Sequence, residues 1–292
     1  MQDFKDSVKI IVISGPTATG KTALAVKLAE KFNGEIISAD SRQVYRNMDI
    51  GSGKDLSEYK QIPYHLIDIA DPATETYNLG RFCRDAWQAI ADISSRKKLP
   101  VICGGTALYI AALLDGYRLP GGALPPRTYA TPRIRQNPDA PPSFTPPFAI
   151  EPLFLGVLYP RLTVRERIEK RLDARFDCGM VDEVRKLHDE HHVSFETLES
   201  FGLEYREISL YLQGKYTFEE MRTQLLNKIR QFAKRQDIFF RKLEREGHQI
   251  HWLKAGNDPD PEILIRDFLA NKKIAEPTFK LCDHHNPPSY QK

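Results

Sequence analysis

Residues 10–22 read Ile10-Ile11-Val12-Ile13-Ser14-Gly15-Pro16-Thr17-Ala18-Thr19-Gly20-Lys21-Thr22. The four apolar residues at the start have the character of a buried strand. Gly15 to Thr22 then satisfies G-x-x-x-x-G-K-[ST], and Leu24, Ala25, Leu28, Ala29 and Phe32 follow on one helical face. A strand, a Gly-rich turn and a helix in this order form a phosphate cradle. Backbone N–H groups, the positive helix end and the Lys21 ammonium converge on phosphate oxygens, while the Thr22 hydroxyl suits a Mg²⁺ ion. An ordinary strand-to-helix turn would leave Lys21 without a role.

Working outward, short apolar runs alternate with helical patterns through the first half, which predicts a parallel sheet covered by helices. Gly34 reads as the stop signal of the first helix, and Ile36-Ile37-Ser38 as the next strand. Asp40-Ser41-Arg42-Gln43-Val44-Tyr45 forms its exit. In open α/β sheets the ligand crevice lies beyond the carboxyl ends of the strands, so Asp40 is expected to face whatever the Gly15–Thr22 loop holds. Val101-Ile102-Cys103-Gly104-Gly105-Thr106 makes a further exit, where two glycines let the backbone approach a ligand. Three strand ends therefore converge on one place.

The composition changes between Pro120 and Pro152, with eight prolines from Pro125 to Pro147. This reads as a connector. Leu153-Phe154-Leu155-Gly156-Val157-Leu158 resumes the sheet, and the chain is helical from Thr163 to about Arg245. The expected organisation is a core over 1–119, a Pro-rich connector over 120–152, the return of the core with a basic helical region over 153–255, and a tail over 256–292.

Bulk properties restrict the function classes. A chain of 292 residues, 41% hydrophobic, buries a large core. The start, Met1-Gln2-Asp3-Phe4-Lys5-Asp6, mixes charges and no apolar stretch approaches membrane-spanning length. A soluble, cytoplasmic monomer is the expectation. Cys83, Cys103, Cys178 and Cys282 are scattered and form no C-x-x-C pair, which argues against a disulfide framework or a Cys-rich zinc site. Cys282-Asp283-His284-His285 has metal-binding residue types, although a solvated tail explains it as well.

A net charge of +3 implies no polyanion by itself, but its distribution is uneven. Arg222, Lys228, Arg230, Lys234, Arg235, Arg241, Lys242 and Arg245 are set against Asp237 and Glu244, with apolar Met221, Leu225, Ile229, Phe232 and Phe239 interleaved. Such a helix either carries solvated charge or meets a nucleic acid. Arg165, Arg167, Lys170 and Arg171 add cations, which Glu166 and Glu169 are expected to offset within the helix.

These residues together resemble the tRNA dimethylallyltransferase family, also called tRNA isopentenyltransferases. The resemblance is carried by Gly15–Thr22, Ile37–Tyr45, Tyr64-His65-Leu66-Ile67-Asp68, Gly104-Gly105-Thr106-Ala107-Leu108-Tyr109, Gly179–Val184, Tyr205-Arg206-Glu207 and Phe232–Arg241. It covers roughly residues 8–118 and 153–245. The implied fold is a P-loop parallel sheet flanked by helices, with a helical C-terminal half. The implied activity transfers a dimethylallyl group from dimethylallyl diphosphate to N6 of adenosine 37 in tRNA, with Mg²⁺.

The resemblance also implies roles. Asp40 matches the general base, with a Mg²⁺-associated or structural carboxylate as the other reading. Lys21, Thr22 and Arg206 join it as the catalytic set. Gly15, Pro16, Thr17, Ala18, Thr19, Gly20, Lys21, Thr22, Arg206 and Arg235 are expected around the diphosphate. Arg206 could instead pair with Glu204 or Glu207. For tRNA the implied contacts are Asp40, Ser41, Arg42, Gln43, Thr106, Arg230, Lys234 and Gln236, although Gln43 could equally be a solvated strand-exit residue. The sequence departs from the family at Ala107 (for Gly), at Phe239 (for Trp), and in the Pro-rich segment, where the family carries a helical insertion that grips the anticodon stem. Two other chemistries remain open: adenylate prenylation, and a P-loop kinase or NTPase acting on a metabolite.

Overall fold

Val8–Ser14 (β1) is a strand whose alternate residues face two cores: Ile10 and Val12 on one side, Ile11 and Ile13 on the other. Burial on both faces follows from parallel pairing, which leaves no sheet face for water. The computed structural model describes residues 7–116 and 147–283. Lys21–Lys31 (α1) buries Ala25, Leu28 and Ala29. Then come Gly34–Ser38 (β2), Tyr64–His65 (β3), Leu79–Ser95 (α2), Leu99–Gly104 (β4) and Ala107–Asp115 (α3). Gly34 does not end the first helix but opens β2; Asn33, at φ 51°, makes the reversal instead, a conformation that Asn tolerates better than most residues.

Ile150–Leu158 (β5) returns to the sheet, followed by Arg161–Asp177 (α4), Met180–Asp189 (α5), Phe195–Phe201 (α6), Leu203–Leu212 (α7), the long Phe218–Arg245 (α8), Ile250–Lys254 (β6) and Pro261–Leu269 (α9). The strands form one sheet in the order β3-β2-β4-β1-β5-β6, with every pairing parallel. Most of the Pro-rich connector lies outside the described residues. No described helix is long and apolar enough to cross a membrane.

Within the segment expected to be a tail, the described residues 256–283 carry a helix and a short turn. Asp260 caps α9 by accepting from Glu262 N, Pro261 occupies the first turn, and Ile265 and Phe268 are buried against the α1 side of the sheet. Burying such side chains contributes roughly 1.5–3 kcal/mol each. Further on, a short 3-10 turn at Leu281–Asp283 buries Leu281, while Glu244 accepts from Leu281 N at 3.0 Å and Cys282 N at 2.7 Å. Among the described residues no His, Cys, Asp and Glu group is arranged to hold a metal ion; His284 and His285 lie outside them.

Register places the site. Ser14 pairs with Gly104 on one side and Gly156 on the other, and Ser38 pairs with Cys103. The carboxyl ends of β1, β2 and β4 thus stop at one level, beside β5, and the loops after these three strands share one cleft.

Candidate active site

The Gly15–Thr22 loop turns through three residues with positive φ, Gly15 at 153°, Ala18 at 63° and Gly20 at 76°, before Lys21 opens α1. Thr19 Oγ1 donates to Pro16 O at 2.9 Å and Lys21 Nζ donates to the same carbonyl at 2.7 Å. Desolvation in the cleft lowers the Lys21 pKa to about 8, opposed by attraction to Asp40 and reinforced by the Arg171 charge. Gln236, only 5% exposed, clamps this loop to the next: its Oε1 accepts from Thr17 N at 2.9 Å and its Nε2 donates to Gly105 O at 2.7 Å. The amide satisfies two backbone groups that would otherwise be orphaned. Both ends of the Gln236 side chain are therefore held by protein, a placement that suits a brace for the loops rather than the tRNA contact implied by the resemblance.

The β2 exit is organised around Asp40, whose Oδ1 accepts from Arg42 N at 2.9 Å and Gln43 N at 3.4 Å. Thr106 joins it to the β4 exit, accepting through Oγ1 from Ser41 N at 3.1 Å. Gly104 serves this junction rather than a ligand: a Cβ there would sit 2.3 Å from Ala39 O. Beside it, burial pushes the Cys103 thiol up to about 12, so it is a protonated lining group. Gln43 is also held internally, accepting from Ser38 Oγ at 2.8 Å and donating to Gly53 O at 3.0 Å. Ala107 is the first residue of α3 and is buried, consistent with a side chain being tolerated there.

A third wall escaped the sequence reading. Arg167, Arg171 and Arg175 recur one turn apart on α4 and all line the cleft. Arg171 Nη2 donates to Thr17 Oγ1, and burial together with the neighbouring Arg175 charge lowers its pKa to about 10. The i,i+4 spacing was the available signal. It was obscured by Glu169, which does not neutralise its own helix but reaches α8, 2.8 Å from Arg230 and 3.8 Å from Arg222. Glu183 was matched only as part of a motif. Its carboxylate accepts from the backbone N–H groups of Asp49 (2.8 Å), Ile50 and Gly51 (3.0 Å), and from the Tyr205 hydroxyl (3.0 Å). That anchorage holds the Gly51–Gly53 loop at the rim of the cleft.

The cleft has a volume of about 600 Å³ and gathers Thr17, Ala18, Gly20, Lys21, Thr22, Asp40, Ser41, Arg42, Gln43, Thr106, Arg235, Gln236 and Phe239. Gly15, Pro16 and Thr19 belong to the loop but not to its lining. Arg206 is not brought into the lining either; its Nε lies 3.9 Å from Glu207 Oε1. Arg230 and Lys234 line a separate shallow depression with Pro16, Arg161, Arg165 and Asp237, because they occupy a different face of α8 from Arg235 and Gln236. Several α8 cations are paired: Arg222 with Asp173 at 2.6 Å, Lys228 with Glu207 at 2.6 Å, and Arg230 with Glu169.

The arrangement places cations, N–H donors and the Asp40 carboxylate around one cleft. Comparison with known proteins agrees. The IPP transferase family matches residues 43–142 and 127–243, and the isopentenyl transferase family matches residues 8–62. The chain is 44% identical to tRNA dimethylallyltransferase 1 of Geotalea daltonii, over 92% of this chain and 98% of that protein. It is 41% identical to tRNA dimethylallyltransferase 1 of Parabacteroides distasonis, over 92% and 99%. Among solved structures, the full-length tRNA isopentenylpyrophosphate transferase of Bacillus halodurans superposes with a TM-score of 0.71 at 30% identity, over 90% of this chain and 96% of that one. A eukaryotic dimethylallyltransferase shares the fold, with a TM-score of 0.75 at 23% identity over 92% and 81%.

Proposed function

The chain belongs to the IPP transferase family, and from that premise we propose that it transfers a dimethylallyl group from dimethylallyl diphosphate to N6 of an adenosine beside the tRNA anticodon. The observation that carries this reading is the convergence of the Gly15–Thr22 loop, the α4 arginines and Asp40 on one cleft. The allylic C–O bond breaks, the N6–C bond forms, the N6 proton leaves to a base and diphosphate departs. Charge builds on the diphosphate oxygens as the bond breaks. Preorganised cations and N–H donors at Lys21, Arg171, Arg175, Arg235 and the loop backbone oppose it. An exocyclic adenine amine is a weak nucleophile, and in this reading Asp40, at the β2 exit in the cleft, accepts its proton. The adenine reaches this depth only when turned out of the anticodon stack.

Mg²⁺ fits the residues present. Thr22 and Asp40 are oxygen donors lining the cleft with no soft ligand cluster among the described residues, so an ion here would depend on substrate phosphate oxygens, the usual manner of Mg²⁺. When bound, it would neutralise the departing diphosphate. The test is incubation of the protein with labelled dimethylallyl diphosphate, Mg²⁺ and unmodified tRNA, followed by nucleoside analysis. N6-dimethylallyladenosine in tRNA is the expected product. Label in AMP but not in tRNA would overturn the acceptor. ATP turnover without prenyl transfer would replace the reaction class.

A further inference from the structure

Glu204 is a buried carboxylate, 4% exposed, on the wall of the cleft, and the chemistry above gives it no task. Its Oε2 accepts from Arg42 Nη1 at 3.1 Å, and its Oε1 lies 3.8 Å from Arg175 Nη1. Arg42 is held a second time, through Nε to Phe201 O at 2.9 Å. The guanidinium is thus held through two of its nitrogens at the α6–α7 junction, and Arg42 lines the cleft. The junction itself is unusual. Gly202 has φ 75° and Leu203 φ 41°, the latter uncommon for a branched side chain, and this reversal delivers Glu204 into the cleft on the first turn of α7.

On the opposite side, Arg175 is positioned by what is missing. A Cβ on Gly53, whose φ is +68°, would lie 1.9 Å from Arg175 Nη2, so the guanidinium occupies the space that glycine leaves. Arg171, one turn away, reaches Thr17. Two sets of contacts therefore line the cleft: Arg171 to Thr17 on the phosphate-loop side, and Arg175, Glu204, Arg42 and, through the Arg42 N–H, Asp40 at the β2 exit, with Arg171 and Arg175 related by the repulsion of their charges.

Resting on the function proposed above, we propose that Glu204 is a positioning residue: it holds Arg42 and Arg175 in fixed orientations and so aims Arg42 at the anticodon loop. A carboxylate between two half-buried guanidiniums offsets their mutual repulsion and orients both. Glutamine at this position keeps one acceptor but turns an NH₂ toward the second guanidinium.

The test compares E204Q, R42K and the double variant with the wild type, reading KM for an anticodon stem-loop RNA, KM for dimethylallyl diphosphate, and kcat. Wild-type prenylation is established first, so a failure of the parent activity is distinguished from a failure of this proposal. E204Q is expected to raise KM for RNA about 10-fold, and KM for dimethylallyl diphosphate by a smaller factor of about 2- to 5-fold through the loosened Arg175. R42K is expected to raise KM for RNA as much while leaving KM for dimethylallyl diphosphate unchanged, and the double variant to be no worse for RNA than R42K alone. Should E204Q not fold, E204D keeps the charge but withdraws it, and reads the same coupling. Multiplying effects in the double variant, an unchanged RNA KM, or a rise confined to the diphosphate KM would each overturn the assignment.

Discussion

The two walls of the cleft are built by different means. The Gly15–Thr22 wall is made of backbone, from eight consecutive residues whose conformation is set by glycine, positive φ and a helix start. The α4–α7 wall is made of side chains, Arg171, Arg175 and Glu204, of which Arg171 reaches Thr17 and Glu204 reaches Arg42 from more than a hundred residues away. A backbone wall is written locally and tolerates most side-chain changes. A side-chain wall exists only in the folded chain, and each member depends on the others' charges.

Asp40 stands where the walls meet, and its removal has the largest expected effect. Asp40→Asn keeps the acceptor that caps Arg42 N and Gln43 N but loses basicity. The single-turnover rate is expected to fall by about 10²–10⁴-fold, with dimethylallyl diphosphate affinity changed by less than about 3-fold. Equal losses in binding and rate would make Asp40 a structural carboxylate and remove the meeting point from the comparison.

Next in size is a contest between two arginines. Arg171→Met removes a cation that touches the phosphate loop, and diphosphate affinity is expected to fall about 10- to 100-fold, the range of a charge-assisted hydrogen bond. Arg206, the clamp implied by family resemblance, is outside the cleft lining, so Arg206→Met is expected to cost less. Isothermal titration with dimethylallyl diphosphate decides it: the opposite order would break the comparison by returning the role to α7.

These two cases also show what the sequence disclosed. The loop, the three strand exits and the parallel sheet were legible because each is a contiguous pattern with its own period or turn chemistry. The α4 wall was not, since Glu166 and Glu169 read as intrahelical partners until Glu169 was found reaching Arg230 and Arg222. Gln236 and Gln43 show why side-chain roles are harder to read than loops: a polar residue near a motif has the same sequence signature whether it faces substrate, meets solvent or braces two loops. The α9 helix carries its start signal in the sequence, the cap Asp260 followed by Pro261, but is too short for its apolar period to stand out from a tail.

A pH series sharpens the account of the backbone wall. Lys21 has its pKa lowered to about 8 by desolvation, below its unfolded value near 10.4. Between these values the unfolded chain binds a proton that the folded chain lacks, so this group makes stability rise with pH across that window. Diphosphate restores the ammonium, so binding takes up a proton above pH 8. Affinity is expected to fall toward about 10-fold per unit as pH rises past 8 and to be flat below it, with the dependence abolished in Lys21→Met. A dependence that survives in Lys21→Met would shift the titration to another cleft group.

The smallest expected effect separates two neighbours on α8. Lys234 lines the outer depression with Arg161 and Arg165, whereas Arg235 lines the cleft. If the outer face meets tRNA phosphates, Lys234→Ala reduces the slope of log affinity against log salt by about 0.7–0.9, the value of one released counterion, with only a few-fold loss of affinity at moderate salt. Arg235→Ala is expected to leave that slope unchanged and weaken dimethylallyl diphosphate instead. The contrast is informative because adjacent residues on one helix share local propensity and local charge. Only the direction each faces differs, so a shared response in both assays would mean that the outer depression and the cleft act on one ligand.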